Sequence, residues 1–285
     1  MELLLALIPA ICWGSIIFLN VKLGGDAFSQ LLGTAFGAII FSIGVFFVTS
    51  PSLTPTIWMV GIISGMFWAI GQRNQLASVK YLGVSRTVPL STGMQLISTA
   101  LVGVIIFKEW SQWTTILIGT VSILFIIIGV VFTVLEDKNK SSEKNGKNNK
   151  KGFLTLLLST LGYLIYVIII RWYKIDGWSA IMPQSIGIVI SSIVLTYQHK
   201  PFNKYAARNI IAGIWWGIGN LGLLLSLPKI GVATSYSLSQ TGIIISTLGG
   251  VFFLGEKKSK KQVIFVIVGC ILIIIGGVLL GFTKK

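Results

Sequence analysis

Acidic, imidazole and thiol side chains are scarce in this chain, and that scarcity narrows its chemistry first. Of 285 residues, eight are Asp or Glu, one is His and two are Cys. The acids are Glu2, Asp26, Glu109, Glu136, Asp137, Glu143, Asp176 and Glu256, each at a terminus, in a polar stretch or at the end of an apolar run. No two of them share the interior of a run, so catalysis by paired carboxylates has nothing to stand on. His199 lies beside Lys200 in a polar stretch, while Cys12 and Cys270 sit singly in apolar runs as small apolar filler. Such a set supports neither a metal-ligand cluster nor a disulfide framework. A glycine-rich loop that could cradle phosphates is also missing. The expectation is a protein that is not an enzyme and holds no metal or cofactor.

Hydrophobic residues, by contrast, make up 54% of the chain, with a mean hydropathy of +0.86. A helix needs roughly 20 apolar residues to cross the hydrocarbon layer, and runs of that length recur along nearly the whole chain. The alternating segments of about 10 residues that mark a membrane barrel do not occur. The expected fold is therefore all-α integral membrane, with ten spans at 2–21, 30–49, 57–78, 84–107, 113–135, 152–173, 178–198, 207–227, 232–254 and 262–282. The first begins at Glu2 without a basic leader and reads as a retained span rather than a signal peptide. Residues 136–151 are lysine-rich and lack apolar periodicity, which predicts a solvated linker between the halves 1–135 and 152–285.

The net charge of +15 is carried in loops and at span ends, a pattern that sets topology and does not point to nucleic acid. Counted by alternate sides, 17 Lys and Arg fall with the linker and 6 on the opposite side. The positive-inside rule then predicts a multi-pass cell-membrane protein with its linker in the cytoplasm and both termini outside.

The chain also resembles itself. Residues 65–99 lie on residues 213–247 without a gap, and 13 of the 35 positions match, among them Gly65/Gly213, Trp68/Trp216, Gly71/Gly219, Gly83/Gly231 and Ser91/Ser239. Five spans per half is an odd number, so the second half enters the bilayer inverted, an architecture that carriers use with the site between the repeats. Glycines four apart, as at Gly33 and Gly37, Gly61 and Gly65, Gly213 and Gly217, and Gly277 and Gly281, predict helix faces smooth enough for close packing or for sliding. Pro9, Pro89 and Pro183 interrupt spans and can bend them near a cavity.

The repeat singles out candidate site residues. Trp68 and Gln72 share a face of span 3, and Trp216 and Asn220 occupy the matching positions of span 8. Both indoles fall near mid-span, away from the interface where membrane tryptophans gather. Packing between helices is the plain alternative. The functional reading is sugar binding: an aromatic ring covers the apolar C–H face of a pyranose, and carboxamides, which both donate and accept, suit its hydroxyl rim. Buried polar groups at that depth are costly unless they face a partner or a water-filled space. Gln72, Asn74, Gln75, Gln95, Gln184, Asn220 and Gln240 are thus informative as a set, all neutral. Inversion would place Gln72 on the cytoplasmic side of Trp68 and Asn220 on the outer side of Trp216, bracketing a sugar. Arg73 and Arg86 are expected to snorkel toward the cytoplasmic face or to serve a gate. Glu109 and Glu256 end spans 4 and 9 in equivalent places, as solvated ends or as gating or coupling groups.

Trp13–Ser15 (WGS), Ser64–Gln72 (SGMFWAIGQ), Gly83–Leu96 (GVSRTVPLSTGMQL), Gly213–Leu221 (GIWWGIGNL) and Gly231–Gly250 together resemble the bacterial glucose/ribose porter family of the drug/metabolite transporter superfamily. The likeness covers all but the linker. It implies ten helices in two inverted repeats, sugar uptake coupled to protons, and Trp13 beside the site residues above. Ile175–Gly177 with Pro183–Gln184 looks ribose-like, so glucose and ribose both stay open. An exporter of drugs or amino acids on the same fold is the rival; it calls for a charged site, and this interior is mostly neutral.

Overall fold

The structure is a computed structural model that describes residues 2–106, 110, 112–134, 143–230, 238–255 and 259–283. Glu109 and Glu256 lie outside them, as does the start of expected span 9. The described residues form helices and no strands. In apolar surroundings each backbone N–H and C=O must be paired within its own segment, which a helix achieves.

We number the helices α1 (Glu2–Leu23), α2 (Ala27–Thr49), α3 (Pro55–Leu82), α4 (Val84–Ile105), α5 (Trp113–Val134), α6 (Glu143–Trp172), α7 (Gly177–Thr196), α8 (Lys204–Ile230), α9 (Ile243–Leu248) and α10 (Lys260–Gly281). Side-chain caps set several of the starts. Asp26 accepts from the Ser29 N–H at 2.8 Å, and Asp176 accepts from the Ser179 N–H at 3.1 Å, each satisfying an orphan donor of the first turn. Two of the eight acids are thereby capping groups. Ser259 and Gln262 form a capping box on α10. Gly83 separates α3 from α4 with φ at +76°, a left-handed conformation that glycine adopts without strain.

Two expectations are corrected. Helix α6 begins at Glu143, so part of the stretch expected as linker continues the helix outward from the apolar segment. Expected span 9 is not one helix where it is described. A helical turn at 238–240 is broken at Thr241–Gly242, α9 follows, and residues 249–253 form a π-helix. Glycines mark these places: a Cβ on Gly242 would lie 2.0 Å from the Ala10 carbonyl oxygen of α1, and Gly249 and Gly250, poor helix formers, open the π segment.

Among the described residues, six helices are long and apolar enough to cross a membrane: α2, α4, α5, α7 and α10, and α6 from Asn149 onward. Residues 7–23 and 238–253 are apolar but shorter.

Packing partners recur under a shift of five. Helix α1 packs on α8 as α6 packs on α3; α2 packs on α8 as α7 packs on α3; α1 meets α9 as α6 meets α4; and α2 meets α7 and α5 meets α10. Glycine makes these contacts close. A Cβ on Gly65 would fall 1.9 Å from the Gln184 carbonyl oxygen, and one on Gly213 would fall 2.0 Å from that of Thr34. These are matching contacts, α3 with α7 and α8 with α2. The main core gathers Ile16, Leu31, Trp68, Val84, Tyr163, Ile188 and Trp216 from seven helices.

Candidate functional site

Where the α3–α6–α7 and α1–α2–α8 groups meet lies a cavity of about 180 Å³. A single water needs roughly 10–15 Å³, so the space suits a small molecule. All eight residues expected to bind substrate line it: Trp13 from α1, Trp68 and Gln72 from α3, Gln95 from α4, Gln184 from α7, Trp216 and Asn220 from α8, and Gln240 from the turn before the break. Among the described lining residues none is Asp, Glu, His, Lys or Arg.

Trp68 and Trp216 are each 3% exposed and lie against one another, ring centroids 4.9 Å apart and planes tilted by 56°. They make one continuous apolar wall rather than two facing plates. Tyr163 stands edge-on to Trp68 at 6.3 Å. Close backbone approach sets the wall: Tyr163 packs on Gly71 and Trp13 packs on Gly219, the glycines one residue before Gln72 and Asn220.

The carboxamides differ in their commitments. Gln184 Nε2 donates to Ser64 Oγ at 3.1 Å, which ties α7 to α3. Gln95 Nε2 donates to Ser91 Oγ at 3.0 Å, and Gln240 Nε2 reaches Ser239 Oγ at 3.4 Å. The Tyr163 hydroxyl lies 2.5 Å from Gln72 Oε1 and 3.0 Å from Gln75 Oε1, and the Tyr166 hydroxyl donates to Asn220 Oδ1 at 3.2 Å. Gln72 Nε2, Asn220 Nδ2 and Trp13 Nε1 are buried with no protein partner.

Several other polar residues lie apart from the cavity. Asn74, one of the informative carboxamides, is outside the lining and donates back to the Ile70 carbonyl at 2.8 Å. Arg73 and Arg86 are outside it too, with the Arg73 guanidinium 5.3 Å from the Phe28 ring centre. Two hydroxyls, of Thr92 and Ser239, line the cavity, while Ser246 and Thr247 bond within the bundle, to the Ile243 carbonyl and to Cys270 Sγ. Sequence reasoning missed Tyr163 and Tyr166. For Tyr163 a faint signal exists: it stands 150 residues after Trp13, the offset that also relates Asp26 to Asp176, Thr34 to Gln184 and Gly37 to Gly187, whereas Tyr166 falls opposite Ile16 and has none. The repeat thus extends into the first two helices of each half at a slightly different offset. Ser15 of the WGS stretch accepts from Trp215 Nε1 at 2.8 Å and holds α1 to α8.

An all-helical bundle of long apolar helices around a cavity of indoles, phenols and carboxamides is the architecture of a membrane transport protein. Residues 4–283 match the family described as sugar transport protein. The glucose uptake protein GlcU of Bacillus subtilis is 56% identical over 284 residues, covering 100% of this chain and 99% of that protein. A protein of Priestia megaterium, named probable glucose uptake protein GlcU, is 56% identical over 286 residues and the full length of both. A solved crystal structure superposes with a TM-score of 0.65 at 13% identity, covering 100% of this chain and 98% of that one, and shares the fold. The chain belongs to the sugar transport protein family.

Proposed function

We propose that the chain carries glucose into the cell across the plasma membrane by alternating access, using ten spanning helices in two inverted halves, 1–135 and 152–285. The observation that carries this reading is the convergence of carboxamides and indoles from both halves on one uncharged cavity. A neutral polyol needs no counter-charge, whereas an amino acid or a cationic drug brings charge that this lining does not match. The relatives named for glucose uptake favour glucose over ribose. The shift-of-five packing supports two equivalent halves, and an odd number of spans in each supports their inversion. On this reading Gln72 and Asn220 bracket the sugar from the two sides of the membrane, the indole wall covers its apolar face, and the glycine interfaces let the halves rock. Charge bias places the linker in the cytoplasm, where its lysines also meet anionic lipid.

Proton symport is carried over from the family resemblance. The described cavity lining has no carboxylate, which leaves Glu109 and Glu256 as the groups to test. Purified protein in liposomes, given labelled glucose, ribose and amino acids with and without an imposed pH gradient, decides the matter. Saturable glucose uptake driven by an inward proton gradient, lost in Glu109→Gln or Glu256→Gln, supports the full reading. Glucose exchange indifferent to the gradient retains the carrier and removes the coupling. Uptake of amino acids without sugar contradicts the substrate class.

A further inference from the structure

Gln72 and Asn220 are 2% and 1% exposed, yet each leaves an amide nitrogen without a protein partner while lining the cavity. In both, a tyrosine of α6 holds the oxygen: Tyr163 at Gln72 Oε1 and Tyr166 at Asn220 Oδ1. A carboxamide whose oxygen is taken offers only its N–H groups to what lies beyond.

The Tyr163 hydroxyl has one proton and two carboxamides within reach. Its closer contact is to Gln72 Oε1, to which it donates, while the 3.0 Å separation from Gln75 fits either O–H···O or N–H···O. The proton therefore goes to Gln72. As it stands Gln75 Nε2 donates to Ser91 Oγ at 2.9 Å and its oxygen competes for the one Tyr163 proton; turning the Gln75 amide over, nitrogen toward Tyr163 and oxygen toward the Ser91 hydroxyl, satisfies Gln75, Ser91 and Tyr163 together. Donation then runs in one direction: Gln95 to Ser91, Ser91 to Gln75, Gln75 to Tyr163, Tyr163 to Gln72. Such a chain polarises its last member, so the Gln72 N–H groups become stronger donors.

We propose that Tyr163 and Tyr166 are positioning residues that fix Gln72 and Asn220 as hydrogen-bond donors, so that with the Trp13 indole N–H the site reads its sugar through oxygen lone pairs rather than through hydroxyl protons. This rests on the sugar reading above and sharpens it. Buried donors left unmatched are costly; hydroxyl and ring oxygens of a pyranose match them, and an ammonium group opposes them.

Competition of deoxy and deoxyfluoro glucoses against labelled glucose uptake tests the proposal, because fluorine keeps an acceptor where the hydroxyl proton is lost. In the wild-type protein the fluoro sugar is expected to compete roughly fivefold better than the deoxy sugar at two or more ring positions. Tyr163→Phe removes that preference at one position and Tyr166→Phe at another, with uptake persisting at a raised KM. Tyr163→Phe keeps the ring that packs on Trp68, and the wild-type comparison requires no variant. Equal competition by fluoro and deoxy sugars at every position overturns the proposal, as does retention of the full preference in both tyrosine variants. Wild-type protein that takes up no sugar at all sinks the sugar reading itself, a separate outcome, and the proposal falls with it.

Discussion

Gln72 and Asn220 occupy equivalent places in the repeat, and both line the cavity while their buried amide nitrogens have no protein partner. Removing either should subtract one hydrogen bond from the bound state, so Gln72→Ala and Asn220→Ala are each expected to raise the KM for glucose about fivefold in uptake assays at matched expression. Gln184 is a different case despite sharing the lining. Its amide is committed to Ser64 between two helices, and Gln184→Ala should lower thermal stability by about 1 kcal/mol, readable as a lower melting temperature of the detergent-purified protein. The tryptophans and carboxamides of α3 and α8 were legible because that part of the repeat keeps residue type. The tyrosines were not, because the α1 counterpart of Tyr163 is Trp13. The two share a place against a glycine while differing in chemistry, so an identity match passes over them.

Long apolar runs made most helices legible, since a spanning segment has few ways to pair its backbone other than as a helix. The broken ninth element was not legible. Its interruption falls where Gly242 meets α1, a tertiary contact with no local signature. The outward start of α6 was hidden for a related reason, because a lysine-rich polar stretch can continue a helix beyond the apolar segment without any hydrophobic period. Glycines at the interfaces make the clearest predictions at this scale. Gly65→Val and Gly213→Val drive a side chain into a carbonyl oxygen of the neighbouring helix. Each should destabilise by about 1–3 kcal/mol or more, seen as lost folded yield and a lower melting temperature. Gly277→Ala is the contrast. Its Cβ would meet Leu96 Cδ1 at 3.4 Å, an ordinary contact, and the variant should keep wild-type yield and uptake.

Across the whole molecule, the exchange of packing partners under a shift of five places one cavity between two matching helix groups. Alternating access then requires the same cavity wall to face each side of the membrane in turn. Topology is testable on its own: a protease site in the linker should be cut in inverted vesicles and spared in intact cells, with tags at the termini showing the reverse. The most direct test of the account labels the cavity itself. Val167 lines it without being one of the proposed sugar-binding residues. In a Cys12→Ser, Cys270→Ser background, Val167→Cys should react with a membrane-impermeant thiol reagent applied from either side of proteoliposomes, and glucose, unlike an amino acid, should slow the reaction from both. Labelling from both sides that glucose leaves unchanged, or labelling confined to one side under every condition, would contradict the account.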